Sequence, residues 1–142
     1  MIDFTCDYSE GTHPAILKRL VDTNLEQTPG YSEDRYCQAA REKIRARCGD
    51  VDVHFLVGGT QANLTVIAFL LKPWQGVLCA DTGHINQHET GAIEATGHKV
   101  LALPSRDGKI TAAQVEQAVR EHQADVTHEH RVQPGMVFIG SP

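Results

Sequence analysis

The stretch Phe55-Leu56-Val57-Gly58-Gly59-Thr60-Gln61-Ala62-Asn63 decides the fold class, because an apolar run passes through two glycines directly into a helical pattern. Similar apolar runs occur at residues 53–57, 77–80, 100–103 and 136–139, and helical patterns lie between them at 61–71, 85–95 and 111–122. Strands that alternate with helices are typical of βαβ units. The sequence therefore predicts an α/β fold with a mostly parallel sheet and helices on both faces.

The first fifty residues have a different pattern. They predict a helix over residues 14–25 and a second helix over residues 33–48, with a turn at Pro29-Gly30 between them. Ser32 is expected to cap the second helix and Gly49 to end it. This part of the chain is expected to form an N-terminal helical arm.

The arm and the sheet region define the expected domain organisation. We expect an N-terminal arm with its helices over residues 1–50 and an α/β domain over residues 51–142. The chain stops three residues after an apolar strand, which would leave a strand edge and a sheet face uncovered. The α/β domain is therefore expected to be truncated and incomplete.

Composition and charge exclude several classes of partner. The formal net charge is −5 and there is no basic block, so we expect no nucleic acid partner. No apolar run approaches the roughly 20 residues that cross a bilayer, and no signal peptide is evident, so we expect no membrane partner. The four cysteines, Cys6, Cys37, Cys48 and Cys79, contain no CxxC pair, which favours free thiols and a cytoplasmic location.

The turn at Gly58-Gly59-Thr60 has two interpretations. Glycines let an anion approach the backbone, the N–H groups of a first helical turn can hold it, and the Thr60 hydroxyl can add a donor. The alternative is a plain tight turn, with glycine chosen for positive φ and Thr60 as the helix N-cap. The turn matches neither the Walker A loop nor GxGxxG. On this stretch alone both interpretations stay open.

A second polar cluster follows the next strand, within residues 81–92. Loops at the carboxyl ends of parallel strands line the ligand crevice, so the His84 loop and the Gly59 turn are expected to face the same space. An imidazole there can stack on an aromatic cofactor ring. One alternative is a metal site formed by His84, His88 and Glu89, and another is an ordinary surface helix. Because HExxH is absent, we predict no metal site.

Six segments spread over the whole chain form an ordered set. They are Asp7-Tyr8-Ser9-Glu10-Gly11 with His13-Pro14, residues 31–36, Gly58-Gly59-Thr60-Gln61-Ala62-Asn63, His84 with His88-Glu89-Thr90-Gly91-Ala92, Thr96-Gly97-His98-Lys99, and Gln133-Pro134-Gly135-Met136-Val137. This set resembles the pyridoxal-phosphate-dependent threonine aldolases of the β-eliminating lyase group. The resemblance implies the large domain of the aspartate aminotransferase-like fold, also called PLP fold type I.

The resemblance also implies a cofactor site and a catalytic pair. Gly59 and Thr60 would hold the phosphate of pyridoxal 5'-phosphate, and Gly58 would shape the turn. His84 would stack on the pyridine ring and assist proton transfer. Glu89 would place a water molecule or act as a base partner near the substrate hydroxyl.

Two further residues are implied to bind the amino acid substrate. Ser9 would contact the substrate carboxylate. Tyr31 would reach the site of a neighbouring subunit, since sites of this family form at a dimer interface. A homodimer or homotetramer is therefore expected for the full-length form.

The implied reaction cleaves β-hydroxy-α-amino acids to glycine and an aldehyde. Family members continue for more than the length of this chain, and their remaining part supplies the aspartate at the pyridine nitrogen, arginines and the Schiff-base lysine. None of the five lysines lies in a familial context; they are Lys18, Lys43, Lys72, Lys99 and Lys109. We expect an N-terminal fragment that is inactive alone. The alternative is a non-catalytic remnant or an assembly-dependent phosphate- or cofactor-binding module.

Overall fold

The computed structural model describes residue 6 and residues 8–140. Asp7, which belongs to the first familial segment, lies outside the described residues, as do residues 1–5 and 141–142. The chain divides into two compact units, Met1–Phe55 and Leu56–Pro142. Each unit has its own helices.

The N-terminal unit contains two helices, α1 at Pro14–Thr23 and α2 at Arg35–Cys48. The prediction that Ser32 caps α2 was wrong. Asp34 is the N-cap, and its carboxylate accepts hydrogen bonds from the N–H groups of the first helical turn at 2.9 Å. Ser32 has φ 63°, in the left-handed region, whereas an N-cap residue is extended. Gly49, with φ 84°, ends α2 as predicted.

The second unit is a parallel three-stranded α/β arrangement. Its elements are α3 at Gly59–Leu70, β1 at Gln75–Ala80, α4 at His84–Gln87, a 3₁₀ turn at Glu94–Thr96, β2 at Lys99–Leu103, α5 at Ala112–Ala124, a 3₁₀ turn at His128–His130 and β3 at Gln133–Val137. Within the described residues the strand order is β2-β1-β3, and both pairings are parallel. Val77 at the centre is in register with Val100 on one side and Met136 on the other.

Side chains alternate along β1, so the strand sends residues to both faces of the sheet. Helices lie against both faces. Val77 and Cys79 belong to a buried cluster with Ile67 of α3 and Ile85 of α4. Leu78 points the other way, toward a cavity of about 300 Å³ that α5 also lines. Among the described residues, no helix combines the length and the apolar character that crossing a bilayer requires.

Residues 53–57 do not form the strand that their apolar pattern predicted. The N–H of Val57 donates to the side chain of Gln61 at 2.9 Å instead of to a neighbouring strand. The Val57 side chain is 94% exposed. An apolar run alone does not provide the partner strand that sheet formation requires.

The helix predicted over residues 85–95 was also wrong. The chain forms only α4 and then turns, because Thr90 and Gly91 have φ values of 51° and 75°. Left-handed residues cannot continue a right-handed helix. The chain then passes through the 3₁₀ turn at Glu94–Thr96 into β2.

Candidate functional site

The glycine turn provides an open helix N-terminus. Gly58 is the N-cap of α3, with φ −176° and no side-chain capping bond, and the helix begins at Gly59. Neither glycine has positive φ, so that explanation for them was wrong, as was Thr60 as N-cap. A Cβ at Gly58 or Gly59 would meet nothing within 4 Å. Neither the backbone conformation nor close contacts with neighbouring atoms therefore require glycine at these two positions.

The first turn of α3 carries donors without acceptors. No described residue accepts from the N–H groups of Gly59, Thr60 or Gln61, as is normal for the start of a helix. These groups, the positive end of the helix dipole and the open space beside the glycines fit an anionic group.

Glu89 is the centre of the site. Its side chain is fully buried, yet it carries a carboxylate. Oε1 accepts a hydrogen bond from Asn63 Nδ2 at 2.6 Å and lies 2.9 Å from His84 Nδ1. Oε2 is buried and has no hydrogen-bond partner among the described residues. A buried oxygen without a donor is costly, so this atom marks a position where a donor from a bound molecule would fit.

His84 is the exposed member of the hydrogen-bonded group of Asn63, Glu89 and His84. Its side chain is 58% exposed while its Nδ1 is held by the buried carboxylate. One nitrogen of the imidazole is therefore held, while more than half of the side chain stays exposed. This arrangement suits a ring that must contact a bound molecule.

The loop around Glu89 is shaped by backbone geometry on both sides. Gly83, before α4, fits closely against β1, since a Cβ there would lie 2.9 Å from the Ala80 carbonyl oxygen. Thr90, directly after Glu89, has φ 51°. Left-handed backbone at a β-branched residue is strained and occurs preferentially at functional sites. The buried side chains of Ile85 and Ile93 anchor the loop at either end.

Asp81 ties the same loop to the end of β1. Its carboxylate accepts from the N–H of Thr82 and from both the N–H and the hydroxyl of Ser105. The Ser105 hydroxyl is the main cause that lowers the pKa of Asp81 below its ordinary value. The Asp81 carbonyl oxygen accepts the side-chain amides of Asn86 and Gln87 at 2.7 and 2.8 Å. The helix that carries His84 is thereby held at the carboxyl end of the sheet.

Asn63 is a site residue that sequence reasoning did not single out. It lies on α3, three residues after Thr60, and connects that helix to the Glu89 and His84 pair. Its position as the last residue of the familial segment 58–63 was the only available signal. The glycine turn and the His84 loop are thus linked through one hydrogen bond.

The other expected contacts lie in the N-terminal unit. Ser9 is exposed, with its Oγ 2.9 Å from Cys6 Sγ. Tyr31 is fully exposed on left-handed backbone with φ 59°. In the part of the chain that the structure describes, no group of three histidine, cysteine or acidic side chains is placed to hold a metal ion.

The chain belongs to the beta-eliminating lyase family, whose sequence profile matches residues 3–139. It is 28% identical over 139 residues to the low specificity L-threonine aldolase of a Pseudomonas species, covering 96% of this chain and 39% of that protein. A second low specificity L-threonine aldolase, from Pseudomonas aeruginosa, is 28% identical over 123 residues, covering 84% of this chain and 36% of that protein.

Among solved structures, the threonine aldolase of Leishmania major is similar, with a TM-score of 0.86 and 45% identity over 94% of this chain and 38% of that one. The predicted aspartate aminotransferase-like α/β fold and the resemblance to threonine aldolases are confirmed. The chain spans about two fifths of the length of the curated relatives it matches.

Proposed function

We propose that this chain supplies the phosphate-binding and ring-holding part of a pyridoxal-phosphate-dependent lyase that cleaves β-hydroxy-α-amino acids to glycine and an aldehyde. The hydrogen-bonded group of Asn63, Glu89 and His84, on and beside the helix that starts at the glycine turn, carries the proposal. Because the chain spans two fifths of its relatives, the reaction is proposed for the whole protein.

The glycine turn would bind the cofactor phosphate. Gly58 and Gly59 leave the backbone accessible, and the N–H groups of the first turn of α3 are free of acceptors within the described residues. Thr60, the second residue of the helix, adds a hydroxyl donor. A phosphate at a helix N-terminus gains both hydrogen bonds and the favourable helix dipole.

His84 would lie against the cofactor ring and accept the proton of the substrate β-hydroxyl through Nε2. As that proton leaves, the Cα–Cβ bond breaks, the aldehyde departs and the electron pair stays on Cα. When bound, the cofactor supplies the electron sink for this pair. Glu89 holds His84 in place through Oε1, and its unpartnered Oε2 would orient a water molecule or the substrate hydroxyl.

Substrate binding and assembly complete the proposal. Ser9 would contact the substrate carboxylate, and Tyr31 would reach the site of a neighbouring subunit in a homodimer or homotetramer. The full exposure of Tyr31 and its strained backbone support this role. The free cysteines among the described residues favour a reducing compartment such as the cytoplasm.

The Schiff-base lysine is proposed to come from outside these 142 residues. Lys18 pairs with Asp22, and Lys72 lies over the Trp74 ring, 5.6 Å from its centroid. Lys99 begins β2, at the amino end of the strand, away from the loops that follow the strands. Within the described part of the chain, no hydrogen bond or ion pair joins a lysine to Asn63, His84 or Glu89.

The absence of such a lysine contact within the described residues also favours a second candidate. This candidate is a non-catalytic phosphate- or cofactor-binding module that works within an assembly. The coding sequence downstream of residue 142 separates the two. The lyase proposal expects a strand resembling Asp-Gly-Ala-Arg and then a lysine. A stop codon with neither feature would favour the binding module.

Cofactor binding can be tested on the purified chain. We expect pyridoxal phosphate to bind in a fluorescence titration and inorganic phosphate to compete. Gly59→Ala should weaken binding about tenfold or more, because its Cβ fills the space that the phosphate needs. The melting temperature should not fall, since that Cβ meets nothing within the chain and alanine favours a helix over glycine.

Gly140→Ala is the matched control, because its Cβ would make only an ordinary contact of 3.6 Å with Phe138. It should bind the cofactor as the original chain does. Failure of the unmodified chain to bind, or equal affinity in Gly59→Ala, would overturn the proposed phosphate site.

A further inference from the structure

We propose that Asn63 is a positioning residue that acts through Glu89. It fixes the neutral His84 imidazole in the Nδ1–H tautomer, so that Nε2 is the only ring nitrogen that can accept a proton. The catalytic role of this tautomer rests on the proposed function. The tautomer itself follows from the geometry of three side chains and is measurable without cofactor.

The geometry concentrates two contacts on one atom. Glu89 Oε1 receives Asn63 Nδ2 at 2.6 Å and lies 2.9 Å from His84 Nδ1, while Oε2 has no partner within the described chain. Asn63 and His84 therefore meet the carboxylate on the same side. Asn63 belongs to α3 and His84 to α4, so the carboxylate bridges two helices.

The chemistry of these groups determines which atom carries hydrogen. An ionised carboxylate has only acceptor atoms, so each group that hydrogen-bonds to it must donate. For Asn63 this assigns the amide nitrogen to the contact. For His84 it places the hydrogen on Nδ1, and a neutral imidazole then has its lone pair on Nε2. Nε2 is the other nitrogen of a side chain that is more than half exposed, and a substrate proton would be taken there.

Asn63 is needed because His84 alone cannot hold the carboxylate. The His84 side chain is more than half exposed, and Oε2 makes no hydrogen bond with the described residues that would help to orient the carboxylate. The Asn63 amide, on a twelve-residue helix, provides the fixed donor. A charge-assisted bond of this kind is stronger than a neutral one. Without it, the position of the Glu89 carboxylate relative to His84 is less well fixed, and the tautomer of His84 is no longer imposed.

Long-range ¹H–¹⁵N NMR of the cofactor-free, ¹⁵N-labelled full chain at pH 8.5 tests this directly. We expect the His84 signals, assigned with a His84→Gln variant, to show a protonated Nδ1 and an unprotonated Nε2. Asn63→Ala and Asn63→Leu should lose this pattern. Leucine has nearly the shape of asparagine and lacks the donor, so it keeps the test valid where alanine disturbs packing.

Thr65→Ala is the matched control, since Thr65 is an exposed residue of the same helix. It should keep the Nδ1–H pattern. A protonated Nε2 in the unmodified chain, or an unchanged Nδ1–H pattern in folded Asn63→Leu, would overturn the proposal. The side-chain amide of Asn63 gives a separate check in the unmodified chain, because a free amide shift would contradict its bond to Glu89.

The two proposals fail in different ways. Absence of pyridoxal phosphate binding contradicts the proposed function and leaves the tautomer result intact. A wrong tautomer with normal cofactor binding contradicts only the role of Asn63.

Discussion

Asp81 and Ser105 are joined by two hydrogen bonds, from the Ser105 N–H at 3.1 Å and from its hydroxyl at 2.5 Å, to one carboxylate oxygen. Asp81 follows β1 and Ser105 lies beyond β2. The pair therefore connects the loops at the carboxyl ends of two neighbouring strands, beside the helix that carries His84.

This pair predicts part of the acid sensitivity of the fold. The pKa of Asp81 is lowered in the folded chain, mainly by the Ser105 hydroxyl, so the folded state favours the ionised form. The associated stability is present above the ordinary aspartate pKa and is lost as pH falls through the lowered one. Asp125, whose pKa is lowered to about 2 mainly by the Thr127 hydroxyl, acts in the same direction.

Urea unfolding between pH 6 and pH 2 should show this loss. Asp81→Asn should be less stable than the original chain at pH 6 and should lose less stability as the pH falls. Asp107→Asn, in an exposed turn, is the control and should retain the original pH profile. Identical profiles for Asp81→Asn and the original chain would contradict the assignment.

Gly76→Ala should destabilise the sheet. The added Cβ would lie 2.6 Å from the Lys99 carbonyl oxygen and 2.8 Å from Val132 Cγ1. The carbonyl belongs to the backbone of β2 and moves only if the strands separate. We expect a loss of about 1–3 kcal/mol in the free energy of unfolding, measured with urea. Gly140→Ala should be close to neutral, and equal stability of the two variants would refute the close approach.

Glu89→Ala should cost more stability than Glu89→Gln. Alanine leaves the donors of Asn63 and His84 without their acceptor, which costs about 1–3 kcal/mol in addition to lost packing. Glutamine keeps an oxygen in the position of Oε1 and leaves one amide group unpaired instead. Thermal unfolding of both variants measures the difference. The reverse order would mean that Oε1 is not the atom that organises the site.

The cysteines should differ in reactivity. Cys79 is buried, and its pKa is raised to about 11, mainly by burial and then by Asp81 and Glu94. Cys48 is exposed. At pH 8 a thiol reagent should modify Cys48 at least 100-fold faster, because the thiolate is the reactive form. Mass spectrometry of labelled peptides gives both rates, and labelling of Cys79 in the folded chain at the rate of Cys48 would contradict its burial.

The sequence predicted the elements whose signals are local. The apolar run at residues 77–80 lies within β1. The periodic pattern over 111–122 lies within α5 apart from Thr111, which is the N-cap of that helix. Residues 53–57 carry the same kind of apolar run, but no strand among the described residues pairs with them, which no local pattern reveals. The break after α4 depends on positive φ at Thr90, a residue type that rarely adopts it.

The residues of the candidate site that belong to sequence motifs could be predicted from the sequence. Gly59 and His84 were singled out because a glycine turn and a histidine loop follow consecutive apolar runs. The contact between Asn63 and Glu89 joins residues 26 positions apart and depends on how α3 packs beside the loop. Such a contact is a property of tertiary packing. For the same reason, only the structure revealed that, within the described chain, one oxygen of Glu89 has two hydrogen-bond contacts and the other has none.

The strand order β2-β1-β3 has a consequence for synthesis on the ribosome. Among the described strands β1 is made first but lies in the middle, and its second edge pairs with β3, from Gln75 to Gln133 at one end. Until β3 has emerged, a newly made chain exposes an open edge on its most buried strand. Open edges recruit other strands, and pairings distant in sequence form slowly. A chaperone that covers this edge should therefore raise the yield of correctly folded chain.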